Sequence, residues 1–162
     1  MSDDARKSEQ IVTDLMKKFR ICMATTVGVE GQLLSRPMAR QNSEFDGTIR
    51  LLAPRNYGIV PEIEADPRVN VSVQSSEGFV SVAGNAVVDD EREIVASNWS
   101  YADDAWFPGG QEQATSILVR ANSAEYWDAG GSTVAHIPSF TRSAISLDHR
   151  TPDVGSSGTV EL

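Results

Sequence analysis

Cysteine occurs once in the 162 residues, as Cys22, and histidine only twice. A single thiol excludes an internal disulfide framework. Because Cys22 stands between Ile21 and Met23 in an apolar run, it reads as a packed, unreactive side chain. Both histidines, His136 and His149, fall in the weakly patterned C-terminal region, and no spacing of His, Cys, Asp or Glu resembles a metal site. The sequence also lacks a Gly-rich phosphate loop and a Gly-x-Ser-x-Gly elbow. Metal and acyl-transfer chemistry therefore drop out. No apolar run approaches the roughly 20 residues of a membrane span, and "MSDDARKSEQ" is polar where a secretory leader has an apolar segment. These features lead us to expect a soluble, cytoplasmic protein with no membrane partner.

Positive charge is scarce in one half of the chain only. Residues 1–70 hold ten basic and ten acidic groups, so the whole surplus of nine negative charges lies in residues 71–162. That balance repels a polyanion, and no basic stripe with interleaved aromatics opposes it, so nucleic acid is not an expected partner. A small anionic ligand remains compatible with the arginines of the first half. With 40% hydrophobic residues, the chain suits one globular domain with a proper core.

What is present is mostly period-two alternation. Ile11, Val12, Leu15, Met16 and Phe19 recur at helical spacing, with Lys17, Lys18 and Arg20 where they suit the helix dipole. "ICMATTVGV" and "QLLSRPMARQ" read as a hairpin around Glu30-Gly31, and "TIRLLA" as a third strand ended by Pro54. "PRNYGIVPEIEADP" reads as a loop feeding a short helix, with Pro61 in its first turn. "RVNVSVQS" and "FVSVAGNAVV" form another hairpin around Glu77-Gly78. "DDEREIVASNW" is a helix begun by Asp89 and Asp90, and "ATSILVRANSAEYWD" is a last strand or bent pair. Asp89-Asp90 and Asp103-Asp104 read as helix-start and loop groups rather than an acid/base couple. Residues 1–147 are taken as the domain and residues 148–162, polar and without periodicity, as a flexible tail. Several short antiparallel strands joined by turns favour a closed sheet, because closure removes exposed edges. The expected fold is mainly β, a small barrel with peripheral helices.

The stretch "LLSRPMARQ" does not fit an ordinary core strand. Alternation places Leu34, Arg36, Met38 and Arg40 on one face and Leu33, Ser35, Pro37 and Ala39 on the other. The smaller apolar set suits a barrel interior, which points the arginines outward, either as solvated surface groups or toward a ligand. Pro37 removes an N–H from the ladder, as happens at edges and bulges.

"SRPMA", "EFDGTIRLLA", "PEIEADPRVNVSV", "FVSVAGNAVVDD", "NWSYADDAWFPGG" and "AEYWD", in this order, resemble the pyridoxamine 5′-phosphate oxidase-like split-barrel flavoproteins, and most closely their general stress protein subgroup. The resemblance spans about Ile11 to Asp128. It implies a six-stranded antiparallel split β-barrel and a homodimer with the ligand site at the interface, holding flavin mononucleotide (FMN). It further implies that Arg36, Pro37 and Met38 face the flavin, with Arg36 serving its phosphate tail by a two-pronged contact. Trp106 and Phe107 would form an apolar wall from the opposite protomer, with Gly109 and Gly110 allowing close approach. Trp99 and Trp106 fit a core role as well.

The chain departs from that family at the phosphate. Relatives commonly place a hydroxyl at the end of the third strand, then a Ser and a Lys or an Arg-Lys pair at the next helix start. Here Ala53, Tyr57, Gly58 and Ile59 stand in those places, and Gln41 stands where the oxidases carry a lysine. Arg55 and Asn56, with backbone N–H groups at the helix start, are the available substitutes, and Tyr57 is also counted among the expected cofactor-binding residues. Losing two charge-assisted contacts of roughly 1.5–3 kcal/mol each would weaken binding on the order of a hundredfold or more. The functional expectation is a flavin-dependent oxidoreductase, stress-related through its subgroup. The alternative is a non-catalytic flavin or deazaflavin binding or storage module with a degenerate phosphate site. No catalytic residue and no substrate emerge from the sequence.

Overall fold

Helical periodicity gives way to alternation at residue 20, and the chain follows. In the computed structural model, which describes residues 3–41, 45–74, 78–128 and 156–161, helix α1 (Asp3–Lys17) lays Val12, Leu15 and Met16 on the core. Strands β1 (Ile21–Val27) and β2 (Leu33–Arg40) form the expected hairpin, turned at Gly31 with a positive φ of 81°. Then come β3 (Thr48–Pro54), α2 (Ile59–Ala65), β4 (Arg68–Gln74), β5 (Gly78–Asp89), α3 (Arg92–Ser97), β6 (Ala114–Asp128) and β7 (Ser156–Glu161).

The strands run in the order β3-β2-β1-β4-β5-β6, and β3 pairs back onto β6 from Thr48↔Arg120 to Pro54↔Ala114. This closes a six-stranded antiparallel barrel with three helices on its outside. Its interior holds Ile49, Leu51, Val71, Val80, Val82, Ile117 and Val119, all essentially without solvent contact. Cys22 lies in the same core. Burial pushes its thiol up to about 11, which keeps it protonated and unreactive, as the sequence implied.

Strand β6 stays one strand of 15 residues rather than a bent pair, and its register against β5 shifts at Ala83/Gly84. Glycine is required there, because a Cβ on Gly84 would lie 2.2 Å from the Arg120 carbonyl oxygen. Helix α3 begins at Arg92, after Asp89 and Asp90 have been used elsewhere. Asp89 ends β5, and Asp90 accepts a hydrogen bond from the Thr115 hydroxyl.

Two expectations are corrected. Ser156–Glu161, read as tail, pairs with β6 from Ser123↔Glu161 to Asp128↔Ser156. Beyond Arg120, β6 has parted from β3 and offers an open edge, which any backbone can pair without a side-chain pattern. The rest of that tail, and both histidines, lie outside the described residues. The second correction concerns β2, whose faces are reversed. Arg40 is 3% exposed and Met38 5%, whereas Leu33 is 73% exposed on the outside. The arginines point inward because partners await them there: Arg40 donates to the carbonyls of Met16 and Phe19 at the C-terminal end of α1. The Met16 carbonyl is one of those that a helix end leaves without an intrahelical partner, and Phe19 follows just past that end.

Candidate ligand-binding site

Strand β2 meets β3 over only two residue pairs, Ala39↔Leu52 and Arg40↔Leu51. Before Ala39, β2 has β1 along one side and, among the described residues, no strand along the other. Pro37 sits in this unpaired stretch, where a missing N–H costs no bond to β3. The fork opens a crevice of about 210 Å³. Pro37, Met38 and Ala39 of β2 line it, with Leu52 and Pro54 of β3, Tyr57, Ile21, and Trp106 and Phe107 from the loop after α3.

That loop is held by its own acids. Asp103 accepts from the Ser100 N–H and hydroxyl, both at 2.7 Å, and Asp104 accepts from the Trp99 indole N–H at 3.0 Å. The pair is thus committed to loop structure, as its sequence context suggested. Phe107 is buried against Trp99, with ring centroids 5.3 Å apart. Trp99 therefore belongs to a small side core with Leu52, Val95 and Ala114. Trp106, the next residue before Phe107, stays 64% exposed on the rim.

Of the residues expected to contact a cofactor, Pro37, Met38, Tyr57, Trp106 and Phe107 come together on this crevice. One chain is enough to do so, and the Trp-Phe wall does not have to come from the opposite protomer. Arg36, Arg55, Asn56 and Gly110 do not line it. Arg55 points to Asp90 at 3.5 Å, and Gly110 takes a positive φ of 72° in the turn before β6. Ile21, Ala39 and Leu52 were not anticipated, because in sequence they look like any strand residue, and Pro54 was read only as the end of the third strand.

Glu62 was also missed. It projects from α2 with only 7% exposure and receives Arg36 in a two-pronged pair, Nη1 to Oε2 at 2.6 Å and Nη2 to Oε1 at 2.9 Å. The buried Thr26 hydroxyl donates to the same carboxylate and accepts from Arg36 at 3.2 Å. The Arg36 hydrogen bonds outweigh burial and, with that of Thr26, hold the Glu62 carboxyl below its ordinary 4.5. Hydrogen bonding to Glu62 likewise raises the Arg36 guanidinium. The Arg36 guanidinium carbon also lies 5.6 Å from the Tyr57 ring centroid, within cation–π range. The network thus stands behind one wall of the crevice and braces it.

The residues fit the two ends of an FMN molecule unequally. For the ring there is an apolar slot with aromatic walls and a free backbone edge. For the phosphate, Arg36 is already neutralised, Ala53 is buried and offers no hydroxyl, and α2 is only seven residues long with no side-chain cap. Among the described residues no group of His, Cys, Asp and Glu is placed to hold a metal ion, and no helix is long and apolar enough to cross a membrane.

The family model described as "Pyridoxamine 5′-phosphate oxidase like" matches residues 7–153. Among solved structures, the chain is similar to a putative general stress protein 26 from Jannaschia sp. CCS1, with 22% identity, a TM-score of 0.71, and 97% of this chain and 99% of that one covered. It is also similar to a putative general stress family protein from Xanthomonas campestris pv. campestris, with 24% identity, a TM-score of 0.65, and 83% and 95% covered. A third likeness is to a protein from Clostridium acetobutylicum related to general stress protein 26 of B. subtilis, with 16% identity, a TM-score of 0.65, and 76% and 87% covered. At these identities the structures establish the fold. No curated protein matches the chain.

Proposed function

The chain belongs to the pyridoxamine 5′-phosphate oxidase-like family, and from that premise we propose that the crevice between Pro37 and Trp106 receives the flat ring of a flavin and that the protein is a flavin-dependent oxidoreductase. The observation that carries this reading is the fork between β2 and β3. It leaves an apolar slot, lined by Trp106 and Tyr57 among others, beside a strand edge that has no neighbour among the described residues. A bound flavin would supply the hydride and electron chemistry. The chain's own part is to hold the ring, exclude water with Met38, Leu52 and Phe107, and present the main chain of β2 to the ring edge.

A homodimer is part of the proposal. The crevice of one chain, about 210 Å³, is below the roughly 300–1,000 Å³ of common ligand sites, so a second wall is needed to enclose a whole ligand. Beside it lies an exposed apolar strip, with Ile21 50%, Met23 39% and Leu33 73% exposed. Such a strip marks a surface meant to be covered, and a second copy would bring its own strip against it. The Arg36–Glu62 pair favours a second reading, a non-catalytic flavin or deazaflavin carrier in which the phosphate grip has been given up.

The test is to incubate the purified protein with excess flavin, desalt it, record the visible spectrum and then assay turnover of a reduced nicotinamide. Retained flavin with turnover supports the oxidoreductase, and retained flavin without turnover supports the carrier. A colourless protein in every case rejects both.

A further inference from the structure

Resting on the flavin reading above, we propose that this crevice selects a neutral, unphosphorylated ring compound, riboflavin or the corresponding deazaflavin, over FMN, and that Glu62 is the residue that sets the preference. In the sequence, Arg36 is the natural partner for a phosphate. In the structure both terminal nitrogens of its guanidinium are bound to the two oxygens of Glu62, and Thr26 closes the third side. A phosphate reaching Arg36 would have to displace a carboxylate that is 7% exposed. The alternative is to sit beside it with like charge, and either event is unfavourable.

Among the described residues, the two other arginines of this region are also engaged. Arg55, the other expected anchor, is within 3.5 Å of Asp90, and Arg92 spends its terminal nitrogens on the carbonyls of Gln111 and Ala114. Ala53, Gly58 and Ile59 bring neither hydroxyl nor charge to the turn that leads into α2. The crevice itself is lined by apolar and aromatic groups, which favour a ring and are indifferent to its tail. Arg36 still has a use, because its guanidinium packs on Tyr57 and fixes that wall, so it acts here as a positioning residue.

The experiment is a parallel titration of the protein with riboflavin and with FMN, followed by flavin fluorescence, in low and high salt. The expected result is tighter binding of riboflavin by about tenfold, the effect of one unfavourable ionic contact on the FMN phosphate, with FMN binding that does not weaken as salt rises. Glu62→Gln, which keeps the shape and removes the charge, is expected to improve FMN relative to riboflavin by about tenfold, as a freed guanidinium gains a phosphate contact. Tighter FMN binding to the unmodified protein, weakened by salt as a charge contact is, overturns the preference while leaving the flavin reading intact. If neither flavin binds, the flavin reading fails and the preference falls with it. The wild-type comparison decides the matter even if Glu62→Gln does not fold.

Discussion

The two faces of β2 invert the usual arrangement of a strand. Its inner face carries Arg36 and Arg40, and its outer face carries Leu33 and Pro37 beside Ile21 and Met23 of β1. Inside, each of these two arginines has a partner brought by another part of the chain: the Met16 carbonyl of α1 and the Phe19 carbonyl just beyond it for Arg40, and Glu62 of α2 for Arg36. Outside, among the described residues, Ile21, Met23 and Leu33 stay exposed. The difference separates structure from function. The buried ionic groups are satisfied and hold the barrel together, whereas the exposed apolar groups lie on the side where the proposed ligand and second copy would meet the chain.

The comparison is broken most severely by Arg36→Ala. It strands the Glu62 carboxylate in a site with little water, and removal of one partner from a buried pair costs about 3–5 kcal/mol. We expect a loss of roughly 3 kcal/mol, since Arg36 keeps some solvent contact, visible as a lowered denaturant midpoint. Replacing Arg40 with Met preserves volume but leaves the Met16 and Phe19 carbonyls without their charged donor. A cost of about 1.5–3 kcal/mol is expected, with fraying of α1 detected by hydrogen exchange.

Acid sharpens the contrast less strongly. The Glu62 carboxyl titrates below its unfolded value of 4.5, so its ionisation stabilises the fold fully above that pH. The contribution is lost as pH falls from 4.5 through the lower folded value. Thermal melts from pH 6 downward should show this loss in the wild type, and a reduced pH dependence in Glu62→Gln. On the outer face, Leu33→Ser should change the stability of the folded chain by no more than about 0.5 kcal/mol. The same substitution should lower the dimer fraction measured by light scattering. If it unfolds the chain instead, the outer face is structural and the contrast fails.

Much of this was legible in the sequence, and the exceptions have physical causes. Alternation and turn residues placed β1 to β5, and the "SRPMA" and "AWFPGG" segments pointed to Pro37, Met38, Trp106 and Phe107. Alternation divides a strand into two faces but does not say which is inside. That choice depended on the α1 carbonyls and on Glu62, which lies 26 residues from Arg36. Nothing in the pattern of the short helix singles out Glu62. Strand β7 was invisible because an open edge recruits backbone rather than side chains. Ile21, Leu52 and Pro54 became crevice residues only through the fork between β2 and β3, a feature of register that local pattern does not carry.

The most direct measurement is a crystal structure of the protein grown with riboflavin. The expected density is a planar ring lying between Pro37 and Trp106, with Glu62 still bound to Arg36 and the tail of the ligand clear of both. A ring bound elsewhere, or Arg36 swung away from Glu62 toward the ligand, would contradict the division of β2 into a satisfied inner face and a ligand-bearing outer edge.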